Sequence, residues 1–162
     1  MNYPEKILNY KHKVAGKYLP VRNDQILKRV FEMDKYYVST KIDGNICFVN
    51  KDSNGISIVS HNNNSFKRPE LEKECSEILK NKCGLFVGEI YLHDESTRTR
   101  SYDLKREIGN NSSDIRIALF DVISFENKDY KENEWKEKKK ILSDNFKSDG
   151  KVYFLNEIEL SS

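Results

Sequence analysis

Residues 36–60 read YYVSTKIDGNICFVNKDSNGISIVS. Three short runs, YYVST (36–40), NICFVN (45–50) and ISIVS (56–60), are rich in β-branched and aromatic residues. Asp43-Gly44 and Ser53-Asn54-Gly55 stand between them as turn signals. The pattern predicts three strands joined as an antiparallel meander.

The flanks add helices. Upstream, NDQILKRVFEM (23–33) has the spacing of a helix, with Asn23 or Asp24 as cap and Ile26, Leu27, Val30 and Phe31 on one face. Downstream, SHNNNSFK (60–67) is a polar loop. Pro69 opens a helix in which Leu71, Cys75, Ile78 and Leu79 keep helical spacing, with Gly84 as its stop. LFVGEIYL (85–92) and DIRIALFDVISF (114–125) read as strands, separated by a polar stretch (93–113) that is part loop and part short helix. ENEWKEKKKILSDNF (132–146) is a charged helix with Trp135, Ile141 and Leu142 along its apolar edge. Its KEKKK run (136–140) reads as exposed charge. Gly150 breaks the chain before a last strand, KVYFLNEIEL (151–160). The sum is an α+β domain with antiparallel-biased sheets flanked by helices.

At 162 residues the chain suits one domain. Eight Phe, nine Tyr and one Trp are enough to nucleate a core, which argues against disorder. The formal net charge of +2 supplies no global field toward nucleic acid or membrane. No apolar run reaches bilayer length, and MNYPEKILNYKHK carries no signal-peptide core. A soluble, intracellular, cytoplasmic protein is expected, or a nuclear one in a eukaryote. Cys47, Cys75 and Cys83 contain no CxxC pair and read as free thiols of a reducing compartment. His12, His61 and His93 share no ligand spacing, which argues against zinc.

Chemistry concentrates in Ser39-Thr40-Lys41-Ile42-Asp43-Gly44, a lysine at a strand end followed by an acid and a turn glycine. Alone, this tetrapeptide KIDG reads as an ordinary β-turn with an incidental lysine. Three further segments follow it in order: SHNNN (60–64), FVGEIYL (86–92) and ALFDV (118–122). Together they resemble the nucleotidyltransferase superfamily of ATP-dependent DNA ligases, RNA ligases and mRNA capping enzymes. KIDG looks like motif I, SHNNN like motif Ia, GEI like motif III and FDV like motif IIIa. Lys41 and Glu89 are 48 residues apart, and Glu89 and Phe120 are 31 apart, separations of the family's size.

The resemblance implies the ligase nucleotidyltransferase fold and roles for specific residues. Lys41 is the expected nucleophile on the α-phosphorus of ATP, forming a lysyl-adenylate. A free lysine amine, with a pKa near ~10.4, is almost all ammonium at neutral pH, and its deprotonation costs about 4–5 kcal/mol. Desolvation, positive neighbours or a metal must therefore help. Asp43 is expected to orient the amine, Gly44 to allow a tight turn under the nucleotide, and Thr40 to offer its backbone to adenine. Glu89, the only acid of an apolar strand, is expected to contact the ribose or the water shell of a metal, Mg²⁺ or Mn²⁺, with Gly88 admitting the ligand. Phe120 is expected to stack on adenine, and Asp121 to be structural.

Two positions depart from the family pattern. His61 stands where motif Ia usually has arginine, with Lys67 or Arg68 as substitutes for the lost charge. Asn45 and Ile46 match neither the DNA-ligase nor the RNA-ligase habit after motif I, whereas FVGEIYL and ALFDV lie closer to DNA ligases. Arg98, Arg100, Lys105 and Arg106 offer phosphate contacts, or a solvated face balanced by Asp94, Glu95, Asp103 and Glu107.

Motif IV, the K-x-K of motif V and an oligonucleotide-binding domain have no counterpart after Phe120. Residues 1–162 are therefore expected to form a partial adenylation domain, incomplete at its C-terminus. The chain would be truncated, split, or a degenerate relative. The leading expectation is an ATP-dependent polynucleotide ligase, DNA before RNA, acting on nicked or broken nucleic acid. A complementary chain carrying motifs IV and V is an expected partner, and the isolated chain is expected to be weakly active or inactive. The alternatives are a non-catalytic nucleotide-binding or scaffold fragment, a capping-type guanylyltransferase, and an unrelated α+β binding domain.

Overall fold

The computed structural model describes Glu5, Ile7, Tyr10, Gln25 and residues 35–97 and 99–161. The helix expected at 23–33 lies outside the described residues except for Gln25, and so does Arg98.

The described elements run β1 (Lys35–Ser39), β2 (Asn45–Asp52), β3 (Gly55–Ser60), α1 (Pro69–Leu79), β4 (Gly84–Leu92), α2 (Ser101–Glu107), β5 (Ile115–Phe125), β6 (Lys128–Asp129), α3 (Trp135–Asn145), β7 (Val152–Phe154) and β8 (Glu157–Ser161). The architecture is α+β, as the sequence implies. The larger sheet has the order β3-β2-β4-β5-β6, with β7 also on β5, and β1 pairs with β8 in a second sheet.

The meander holds only in part. β2 and β3 form the hairpin that Ser53-Asn54-Gly55 announces, with Asp52 opposite Gly55. β1 does not continue it. It pairs antiparallel with β8, from Lys35 opposite Ser161 to Ser39 opposite Glu157. Asp43-Gly44 therefore belongs to a connector between two sheets rather than to a hairpin. The run 151–160 is likewise two strands. β7 lies parallel to β5, and Leu155 donates to the Leu119 carbonyl before the chain crosses to the second sheet. β6 follows a turn in which Glu126 and Asn127 both take positive φ, 47° and 65°, as a two-residue hairpin loop of primed type requires.

Alternation sorts the strand side chains onto two faces. Cys47, Val49, Phe86, Ile90, Ile117, Leu119 and Val122 share one core cluster with Leu71, Cys75 and Leu79 of α1 and Leu142 of α3. The opposite face carries Phe48, Val59, Leu85, Val87 and Ile123, packed with Ile7 and Tyr10, and with Ile46 and Phe120 partly buried at its margin. Pro69 does start α1, but Lys80, at φ 50°, ends it rather than Gly84. Gly84 is instead the first residue of β4.

Candidate functional site

Several of the expected site residues gather where β2, β4 and β5 run side by side. Ile46 of β2 lies opposite Glu89 of β4, and Glu89 lies opposite Ala118 of β5. The row just inside pairs Ser60 with Cys47 and Cys47 with Gly88, so His61 leaves β3 at the same end of the sheet. Ser60 holds that exit as a tight turn, its Oγ accepting the N–H groups of Asn62 and Asn64.

Gly44 and Glu89 meet directly. The Gly44 N–H donates to Glu89 Oε1 across 2.9 Å. Glu89 is half-buried, and its second oxygen has no partner among the described residues. The need for glycine at 44 is steric. A Cβ there would stand 2.3 Å from the Ile90 carbonyl oxygen and 2.9 Å from Tyr91 Cβ. Gly44 has no positive φ, so its backbone conformation by itself does not demand glycine. Gly88 differs from expectation. It is buried, and a Cβ on it would meet the Ala118 carbonyl oxygen at 2.7 Å. Its bareness admits strand β5 rather than a ligand.

Phe120 owes its position to a bulge. Val87 pairs with Asp121 and Gly88 with Leu119, so Phe120 is an extra residue in β5. It packs at the margin of the same cluster as Ile46, on the face that carries Val87 and hence Glu89. Asp121 accepts the N–H of Val122 at 2.7 Å and the hydroxyl of Tyr10 at 2.8 Å. Lys138 Nζ lies 3.0 Å from Asp121 Oδ1, with both side chains only 8% exposed. Lys138 thus contradicts the reading of KEKKK as mere exposed charge. Asp121 lies in the part of β5 between Leu119, the end of its β7 register, and Ser124, the start of its β6 register, while the other edge of β5 stays paired with β4. That buried pair carried no sequence signal, because a lysine in a charged helical run looks the same whether it faces water or an acid.

Thr40 and Lys41 are exposed in the connector ahead of Gly44, and Asp43 is half-buried. Lys41 and Asp43 stand two residues apart in this connector. Arg68 is no replacement for the arginine missing at 61. It is 1% exposed, and its guanidinium donates to the carbonyls of Ile108, Asn110 and Ser113 and pairs with Glu70. It staples the 108–113 loop to the start of α1. Lys67 remains exposed. In the basic cluster, Arg106 faces Asp103 and Glu107, as expected of a balanced solvated surface.

An apolar margin of Ile46 and Phe120 beside one carboxylate suits a flat heteroaromatic ring joined to a hydroxyl-bearing sugar. It does not suit a protein-built metal cage. Among the described residues no three His, Cys, Asp or Glu side chains converge. A divalent cation here would be held chiefly by its own phosphate ligands and water. Also among the described residues, no helix is long and apolar enough to cross a membrane.

Comparison with known proteins bears on the family and the fold. The family model described as ATP dependent DNA ligase domain matches residues 18–162. Among solved structures, the ligase domain of M. tuberculosis LigD aligns at a TM-score of 0.60 and 15% identity, covering 76% of this chain. A mycobacterial DNA ligase D complexed with ATP and MES aligns at 0.59 and 15% identity, again over 76%. A third, Pmar-Lig_Pre, aligns at 0.55 and 15% identity over 94%. At that identity the likeness is one of fold. The chain spans 39%, 40% and 39% of those three chains. No curated protein matches the sequence.

Proposed function

This chain belongs to the ATP-dependent DNA ligase domain family, and from that premise we propose that it takes part in ATP-dependent polynucleotide joining through a covalent adenylate on Lys41. The observation that carries the reading is the Gly44–Glu89 hydrogen bond, which sets a carboxylate directly beside the KIDG connector.

In this reading ATP is the substrate of the first step. Adenine lies against Phe120 and Ile46, and the second oxygen of Glu89 accepts a ribose hydroxyl. The Lys41 amine, three residues before Gly44, attacks the α-phosphorus. An Nζ–P bond forms, the P–O bond to the β-phosphate breaks, and pyrophosphate leaves with that electron pair. The proton from Nζ passes to solvent or to a leaving oxygen. AMP then passes to a 5′-phosphate of a nick, and a 3′-hydroxyl displaces it. A divalent cation would travel with the triphosphate and offset its charge, Glu89 touching it through water at most. His61, at the same sheet end, is one more donor for the sugar or phosphate.

Residues 1–162 act in this reading as part of an adenylation domain. Lysines of a K-x-K motif would come from a polypeptide carrying motifs IV and V, encoded in the same reading frame or another. The test is incubation with α-labelled ATP and a divalent cation, alone and with such a polypeptide. Weak label alone, stronger label in the mixture and none in Lys41→Ala are expected. No label in either case overturns the reading, and label from GTP only moves it to capping chemistry.

A further inference from the structure

The face that carries Glu89 continues past it into a polar shelf. Tyr91, two residues on in β4, lies opposite Arg116 of β5. Ala118, opposite Glu89, lies opposite Tyr153 of β7. The two tyrosine hydroxyls meet at 2.8 Å and are half-buried. Asp114 takes Arg116 Nε at 3.1 Å and Nη2 at 2.7 Å on its Oδ2 atom. Lys151 Nζ stands 3.9 Å from the other oxygen, and the His93 ring lies edge-on to Tyr91 at 6.3 Å.

This cluster has donors to spare. A pair of hydroxyls shares one proton, so one O–H is left over. Nothing among the described residues accepts it. Arg116 uses Nε and Nη2 on Asp114, which leaves Nη1 without a partner among the described residues. Asp114 is held below the usual carboxylate range, chiefly by its hydrogen bond with Arg116, so the pair stays ionised and the guanidinium plane stays fixed. Arg116 remains 29% exposed. With Asp114 and Glu89 offsetting Arg116 and Lys151, net charge is not the attraction. Arg116 lies opposite Tyr91 in register, and a guanidinium held in a fixed plane binds a phosphate by geometry as well as charge.

We propose that Arg116, Tyr91 and Tyr153 form a phosphate-recognition subsite adjoining Glu89. It rests on the nucleotide reading of that carboxylate. Its ligand is a phosphate group, either of the ATP tail or of the nicked strand. The strands hold the three side chains in register, so the subsite is preformed.

The experiment uses the full chain, with Arg116→Gln and Tyr153→Phe beside wild type. Calorimetric titration is run with ATP, adenosine, a nicked duplex bearing a 5′-phosphate, and the same duplex bearing a 5′-hydroxyl. Arg116→Gln is expected to weaken a phosphate-bearing ligand by about tenfold or more and Tyr153→Phe by several-fold, with adenosine unchanged. Selective loss of ATP assigns the triphosphate tail, and selective loss of the 5′-phosphorylated nick assigns the strand. Unchanged affinities, parallel loss of adenosine, or a wild-type chain that ignores phosphate each overturn the subsite. Thermal midpoints of both variants exclude misfolding as the cause. Label on Lys41 is scored separately. Wild type without label but still discriminating phosphate sinks only the ligase reading. Label intact with indifferent variants sinks only the subsite.

Discussion

The Gly44 backbone N–H reaches Glu89 Oε1 at 2.9 Å, tying the connector after Lys41 to the middle strands of the large sheet. This bond brings two segments 45 residues apart in sequence into direct contact. It also separates two kinds of damage. Gly44→Ala puts a Cβ 2.3 Å from the Ile90 carbonyl oxygen, and neither backbone can yield without breaking the bond. A stability loss of about 1–3 kcal/mol is expected in urea unfolding, together with loss of Lys41 labelling. Glu89→Gln keeps an acceptor for Gly44, so its stability is expected to change by less than about 1 kcal/mol. Its nucleotide affinity should nonetheless fall about tenfold in titration, since a hydrogen bond to a charged acceptor is lost. Unchanged affinity would remove Glu89 from the site.

Lys138 and Asp121 form a buried pair that anchors the β5 bulge behind Phe120. Removing one partner strands the other charge. Lys138→Met and Asp121→Asn are each expected to cost about 3–5 kcal/mol in chemical denaturation. The double variant should cost clearly less than the sum of the two, because no lone charge is left. Strict additivity would show that the pair is not coupled.

Arg68 satisfies three backbone carbonyls from a buried position. Arg68→Met is expected to destabilise the fold by about 3 kcal/mol or more through those orphaned acceptors. Where the variant is still folded, adenosine and ATP affinities should match wild type. A selective loss of ATP would instead give Arg68 the phosphate role that its burial denies it.

Burial pushes the Cys75 thiol up to about 12, and burial likewise pushes Cys47 well above its ordinary value. Both groups are raised in the folded state, so the neutral thiol is favoured there. The stability they contribute is fully present below the unfolded pKa of ~8.5 and is lost as pH rises toward the folded value. Unfolding free energy measured from pH 8 to 10 should therefore decline, less steeply in Cys75→Ala. At pH 8 Cys83, half-exposed, should alkylate in the native protein, while Cys47 and Cys75 should react only in denaturant. Native labelling of Cys75 detected by mass spectrometry would contradict its packing under α1.

Much of this protein was legible in residue order. Strands β2 to β5, helices α1 and α3, and the KIDG, SHNNN, GEI and FDV segments follow from local periodicity and turn chemistry, which act over a few residues. Pairing was not legible. β1 joins β8 across the length of the described chain, because an edge strand takes whichever partner the connector delivers, and no local pattern encodes that distance. The glycines at 44 and 88 announced themselves, but their reason is close packing of β4 against the connector and against β5. A single helical lysine, Lys138, was indistinguishable from its neighbours until the fold placed Asp121 before it. The sequence by itself determined where the KIDG, SHNNN, GEI and FDV segments stand and which elements bear most of them. Only the tertiary structure decided that Gly44 meets Glu89, that Arg68 is buried away from any ligand, and that Tyr91, Arg116 and Tyr153 share one face. Those are facts of strand register, and register is settled by which side chains a packed sheet can bury together.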